Sequence, residues 1–277
     1  MTEFHKMHGL GNDFIIIDER HVEHTTPVDT SAIIALSNRK TGIGCDQFLI
    51  LRRSNEADVF MIIFNADGSR VSACGNATRC VASLLNEIGS HLVIQTDAGL
   101  LECDIFGDQI AVNMGVPRCN APDIPLSDDI DTLHVKHGIA HLPSGVCVNM
   151  GNPHLVIFVN DLSQTACDVH GAILETHSLF PQKANINFAQ ILNKQTIALR
   201  TYERGVGLTQ ACGTGACATA VAARRRELTL QDMHIHMPGG ILDISWAGNK
   251  QHMNEPVIMK GGAHYVFSGT LPQGVWR

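Results

Sequence analysis

The dipeptide Cys-Gly occurs twice in the 277 residues, both times inside Ala-Cys-Gly: Ala73-Cys74-Gly75 and Ala211-Cys212-Gly213, 138 positions apart. Each copy stands where a loop hands over to a helical segment, NATRCVASLLNEIG in the first case and TGACATAVAARRREL in the second. Each thiol is therefore expected at a helix N-terminus. Free backbone N–H groups and the positive end of the helix dipole lower a thiol's pKa there and also make an anion site. Two such junctions around one cleft supply two acid/base groups and two sets of donors. The chemistry that needs this is inversion at the α-carbon of an amino acid, where a proton leaves one face and returns on the other. Backbone amides of Gly75, Asn76, Gly213 and Thr214 are placed to bind a substrate carboxylate and spread the developing charge. One cysteine starts as thiolate and the other as thiol, so the two titrate as a pair.

The surroundings of the two cysteines match. Asn65 and Glu203 each precede their cysteine by nine positions, after an apolar stretch. Gln47 and Asn185 precede theirs by 27. Gly11-Asn12 ends 62 positions before Cys74, and Gly151-Asn152 ends 60 before Cys212. Gly-Asn alone is a weak signal, since it recurs at Gly75 and Gly248. The shared order and offsets mark the chain as two halves of one pattern.

The elements that must position these residues follow the same duplication. Phe14–Asp18, Val59–Phe64, Leu155–Val159 and Ile197–Tyr202 read as strands, short and rich in β-branched or aromatic residues. Glycine-punctuated strands at Ala98–Phe106, Gln109–Met114, Gly240–Trp246 and His264–Phe267 add to each half. The helices after Cys74 and Cys212 carry small and apolar residues on nearly every face, which predicts that other structure encloses them. Gly89 is a candidate C-cap for the first, and the basic end of the second suits a helix C-terminus. Arg224–Arg226 reads as a solvated helix end. The predicted fold is α/β (α+β): two pseudo-symmetric domains, each a mixed sheet or barrel around a central helix, with the active site in the cleft between them. Three prolines in Pro117–Pro125 make the best linker. The predicted domains are 1–117, completed by 261–277, and 118–260.

Composition narrows the function classes. A net charge of −7 and a pI near 6.1 leave no basic field for a nucleic acid or an acidic membrane surface. No apolar run reaches the roughly 18 residues of a membrane span, and MTEFHKMHGL lacks the apolar stretch of a signal peptide. Nine cysteines, an odd number, fit free thiols in a reducing cytoplasm, where most are simply small buried hydrophobes. Zinc asks for Cys-x2–4-Cys; Cys74-x5-Cys80 is too wide, and Cys212-x4-Cys217 has no histidine companions. Disulfide exchange asks for Cys-x-x-Cys, which is absent. A cysteine hydrolase needs one nucleophile rather than a duplicated pair, although His154 is a conceivable base. No lysine has a pyridoxal-phosphate setting, and Gly9-Leu10-Gly11 does not continue to the third glycine of a dinucleotide motif. No cofactor and no metal are expected.

The blocks MHGLGNDFIIID (7–18), GIGCDQ (42–47), FNADGS (64–69), ACGNATRC (73–80), MGNPHLVIF (150–158), NINFAQ (185–190), YERGVGLTQACGTGACA (202–218) and GGILDISW (239–246) resemble those of diaminopimelate epimerases, in the same order and across nearly the whole chain. Ala77, Thr78, Leu155 and the stretch MKGGA (259–263) depart from the family's usual residues, away from the chemistry. The resemblance implies interconversion of LL- and meso-diaminopimelate on the bacterial route to lysine and peptidoglycan, without pyridoxal phosphate or metal, by a homodimer. It implies that Cys74 and Cys212 are the acid/base pair and that Asn12, Gln47, Asn65, Asn152 and Asn185 bind polar groups of the substrate. Glu203 and Arg204 would hold the distal amino-acid end, and His154 and Glu203 would tune the cysteines.

Three rival functions remain at the level of sequence. Phenazine-biosynthesis isomerases share the fold family but lack the cysteine pair. A racemase of a one-centre amino acid would keep the cysteines without needing Glu203 and Arg204. A binding protein would leave two thiols at helix starts unexplained.

Overall fold

The computed structural model describes residues 1–22, 28–272 and 274–276. The chain divides into two compact units, Met1–Val112 with Gly261–Arg277, and Asn113–Lys260. In the first lie β1 (Thr2–Gly9), β2 (Asn12–Asp18), α1 (Thr30–Ser37), β3 (Gln47–Arg52), β4 (Val59–Asn65), β5 (Arg70–Val71), α2 (Gly75–Leu84), β6 (His91–Thr96), β7 (Gly99–Phe106) and β8 (Gln109–Asn113). The second repeats that order with β9 (Val146–Asn149), β10 (Pro153–Phe158), α3 (Cys167–Glu175), β11 (Asn185–Asn193), β12 (Thr196–Glu203), β13 (Gly207–Leu208), α4 (Gly213–Arg225), β14 (Asp232–Met237), β15 (Gly240–Trp246) and β16 (Val257–Gly262). The last strand, β17 (His264–Leu271), returns to pair antiparallel with β1.

The pairings repeat as well as the order. In the first unit β1–β2 is antiparallel, β2–β3 parallel, β3–β4 antiparallel, β4–β6 parallel, and β6–β7 and β7–β8 antiparallel. In the second, β9–β10, β10–β11, β11–β12, β12–β14, β14–β15 and β15–β16 run through the same sequence of senses. The duplication read from cysteine offsets is thus a duplication of topology. The fold is mixed α/β with two pseudo-symmetric halves.

Burial explains why each half closes on a helix. Residues Gly75–Ala82 of α2 are all buried, against β1, β6, β7 and β17. In α4 eleven of thirteen residues are buried, against β9, β10, β11, β14 and β15. Alanine, glycine and threonine let strand side chains approach these helices on all sides. The other helix of each half covers the outer face of its sheet. Ile33 and Leu36 of α1 pack on Ile15, Phe48, Ile50 and Phe64, and Leu174 of α3 packs on Leu155, Ile186 and Phe188.

Two readings of helix ends need correction. Helix α2 stops at Leu84, capped by Leu85, and Asn86–Ile88 tighten into one 3-10 turn that Gly89 closes. Asn86 competes for backbone hydrogen bonds and favours such an ending. The arginines that end and cap α4 are not a solvated end. Arg225 is buried and donates to Cys147 O (3.1 Å) and Thr132 Oγ1 (3.0 Å). Arg226 donates to the carbonyls of Leu133 (2.8 Å) and Ser144 (2.9 Å). Arg226 thereby satisfies carbonyls of an irregular stretch, while Arg225 ties β9 to Thr132.

Candidate active site

Cys74 and Cys212 are the N-cap residues of α2 and α4, in the same extended conformation (φ −149°, ψ 115° and φ −126°, ψ 110°). Neither helix has a side-chain cap, so the N–H groups of Gly75, Asn76, Gly213 and Thr214 stay open to a ligand. Cys74 is partly exposed and Cys212 is buried.

Around Cys74 the Gly11 turn, with φ +83°, joins β1 to β2 and presents Asn12. The Cys74 thiol donates to Asn12 Oδ1 (3.8 Å), which also accepts from Asn76 Nδ2 (3.2 Å). Asn12 Nδ2 donates to Asp46 Oδ2 (3.2 Å), itself held by Arg39, and this fixes which way the amide points. Behind Asn76 lies Arg79, wholly buried, donating to Asn76 Oδ1 (2.7 Å) and to the carbonyl of Gly262 (3.3 Å). Gln47 and Asn65 are cross-strand neighbours, with Gln47 Nε2 donating to Asn65 Oδ1 (3.2 Å). Gln47 Oε1 is buried without a hydrogen-bond partner.

Around Cys212 the Gly151 turn, with φ +93°, joins β9 to β10 and presents Asn152. Asn152 Nδ2 donates to Thr214 Oγ1 (3.3 Å), and the Thr214 hydroxyl lies 3.6 Å from the Cys212 sulfur. His154 touches Asn152 Oδ1 through Nε2 (2.8 Å) rather than touching the thiol. Burial pushes this imidazole down to about 3, with the charge of Arg204 adding to the effect, so it is neutral at ordinary pH. Burial also pushes the Cys212 thiol well above its ordinary value, and the Glu203 carboxylate adds to that. The Thr214 hydroxyl and the Gly215 N–H oppose both without prevailing. The lowering expected at a helix N-terminus is outweighed here, because removal from water penalises the thiolate more than a few oriented donors favour it. Cys80, inside α2, is pushed up to about 12 chiefly by burial, against the opposing charge of Arg79, as an inert core thiol should be.

Glu203 ends β12, Arg204 follows it, and the two side chains meet different surroundings. Glu203 accepts from Thr209 Oγ1 (2.5 Å) and acts on Cys212. Arg204 is exposed; its Nη1 donates to Gln182 O (3.0 Å) and its backbone N–H to Asn185 Oδ1 (2.9 Å). Asn185 also donates to Pro153 O (3.2 Å), so both ends of its amide hold backbone.

The sequence model of the diaminopimelate epimerase family matches residues 4–119 and 146–266. The chain belongs to the diaminopimelate epimerase family. It is 48% identical to the diaminopimelate epimerase of Rhizorhabdus wittichii over 96% of this chain and 94% of that one. It is 45% identical to that of Erythrobacter litoralis over 99% and 98%. Among solved structures, a PhzF-family phenazine biosynthesis protein of Bacillus anthracis superposes with a TM-score of 0.69 at 16% identity, covering 98% of this chain and 99% of that one. A hydroxyproline epimerase of Agrobacterium vitis gives 0.68 at 12%, covering 99% and 96%. At such identities these two share the fold.

Sequence reasoning missed Arg79 and Asp46. Arg79 left a usable trace: a charged residue in a helix that is apolar or small on nearly every face must be buried and paired. No helix among the described residues is long and apolar enough to cross a membrane.

Proposed function

We propose that this family member interconverts LL- and meso-diaminopimelate with Cys74 and Cys212 on opposite faces of the α-carbon. The observation that carries the reading is the duplicated thiol at an uncapped helix start, each with an amide presented by a Gly-Asn turn. One thiolate takes the α-proton, and the N–H groups of Gly75, Asn76, Gly213 and Thr214 stabilise the carbanion. The other thiol returns a proton on the far face. Cys212, buried beside Glu203, is suited to rest as the thiol. The unpartnered Gln47 Oε1 offers an acceptor for a substrate ammonium, next to Asn65. Asn12 and Asn152 couple substrate contacts to the two sulfurs, and Arg204, which Asn185 fastens by its backbone, reaches for the distal carboxylate. The half-exposed Tyr265, Val266 and Phe267 of β17 support a homodimer, checked by sedimentation of a Phe267→Lys variant.

The test is turnover of LL-diaminopimelate in D2O. Wild-type protein should give inverted product carrying solvent deuterium at the α-carbon. Cys74→Ala and Cys212→Ala should fold yet lose about 100-fold or more in inversion. Cys80→Ala and Cys217→Ala should keep it. Near wild-type inversion by Cys74→Ala would overturn the two-thiol reading.

A further inference from the structure

The internal duplication supplies a control for every residue near Cys212. His154 pairs in register with Asn185 on the parallel strands β10 and β11, as Phe14 pairs with Gln47 on β2 and β3. Asn187 faces Thr201 across β11 and β12, as Leu49 faces Ile63 across β3 and β4. The first half thus builds these three core positions from hydrocarbon: Phe14, Leu49 and Ile63, all fully buried. The second half builds them from His154, Asn187 and Thr201, equally buried. The fold does not require polar groups there, and burying them costs free energy unless every one is hydrogen-bonded.

They are all bonded, and in one direction. The Thr201 hydroxyl donates to Asn187 Oδ1 (3.0 Å). Asn187 Nδ2 lies 3.1 Å from His154 Nδ1 and also donates to Leu155 O (3.3 Å), which fixes the N–H side of its amide toward the histidine. An N–H donor at Nδ1 leaves the imidazole proton on Nε2, facing Asn152 Oδ1. Asn152 Nδ2 then donates to Thr214 Oγ1, so the Thr214 hydroxyl proton is free to point at the Cys212 sulfur. The first turn of α4 is shaped to this pair. A Cβ on Gly215 would lie 2.6 Å from Asn187 Oδ1 and 3.0 Å from Thr201 Oγ1. At the equivalent place, three residues after Cys74, the first half has Ala77.

We propose that Asn187 and Thr201 are positioning residues. They hold buried His154 in its Nε2–H form and aim a one-directional chain of hydrogen-bond donors at the Cys212 sulfur. The proposal rests on reading Cys212 as an acid/base group. Its charged surroundings are the Glu203 carboxylate beside the sulfur and the Arg204 guanidinium acting on His154.

The test replaces the pair by its counterparts from the first half, Asn187→Leu with Thr201→Ile. Long-range 1H–15N spectra should show His154 as the Nε2–H tautomer in the wild type, with mixed tautomers in the double variant. Iodoacetamide modification of Cys212, followed by peptide mass spectrometry, should move to higher pH once the donor chain is unaligned. The kcat for diaminopimelate should fall on the order of 10- to 100-fold with KM nearly unchanged, as second-layer orienting partners do elsewhere. Thr201→Ser should restore most of what Thr201→Val loses. A double variant with wild-type tautomer, alkylation profile and kcat would overturn the proposal, whatever its melting temperature. Should the double variant not fold, Thr201→Val and Thr201→Ser carry the same readouts. The tautomer and alkylation measurements need no substrate, so they stand or fall separately from the reaction assigned above.

Discussion

The protonation of His154 allows a prediction with a worked magnitude. Its ring is fully buried between two amides, and burial, helped by Arg204, pushes it from the ordinary 6.5 down to about 3. Between those values the unfolded chain binds a proton that the folded chain refuses. The stabilisation is therefore fully present above pH 6.5 and is lost as the pH falls toward 3. One such proton changes stability by about 1.4 kcal/mol per pH unit, hence about 2 kcal/mol by pH 5 and about 3 kcal/mol by pH 4. His154→Gln removes the titrating group while keeping an amide donor for Asn152. Its packing cost does not depend on pH. Urea unfolding of both proteins from about pH 7 to pH 4.5 should show their stability difference shrinking by about 2 kcal/mol between pH 7 and pH 5. His8 and His170, lowered chiefly by burial, contribute equally to both and cancel. Parallel stability curves would refute the reasoning, for they would mean that His154 accepts its proton as readily folded as unfolded.

Two further outcomes follow from the same geometry. Arg204→Met should cut kcat/KM for diaminopimelate by about 30-fold or more, the lower bound for losing a charged hydrogen bond, while lysine, proline and alanine remain poor substrates of the wild type; brisk racemisation of any of these, undiminished in the variant, would move the assignment to a one-centre racemase. Arg225→Met should lower unfolding free energy by about 3 kcal/mol in denaturant titration, since it removes two charge-assisted hydrogen bonds, to Cys147 O and to Thr132 Oγ1, although that hydroxyl still donates to Cys119 O, and a loss below about 0.5 kcal/mol would return that arginine to the solvated class.

The sequence alone determined the duplication, both cysteines at helix starts, the strands that flank them and the recurrence of Gly-Asn ahead of each cysteine. These are local matters. A helix start and a period-two strand are set by a few adjacent residues, and equal offsets survive in the chain whatever it folds into. Tertiary structure alone decided the states of those residues. Asn12 meets Asp46, Gln47 meets Asn65 and His154 meets Asn187 because strand register brings distant positions within hydrogen-bond reach. Arg225 reads as an exposed helix end until a carbonyl 78 positions away is seen to bury it. The direction in which Cys212 titrates turns on the same distinction. A helix start favours the thiolate, but burial and the charge of Glu203 win, and desolvation is a property of everything packed around a group rather than of the residues beside it in the chain.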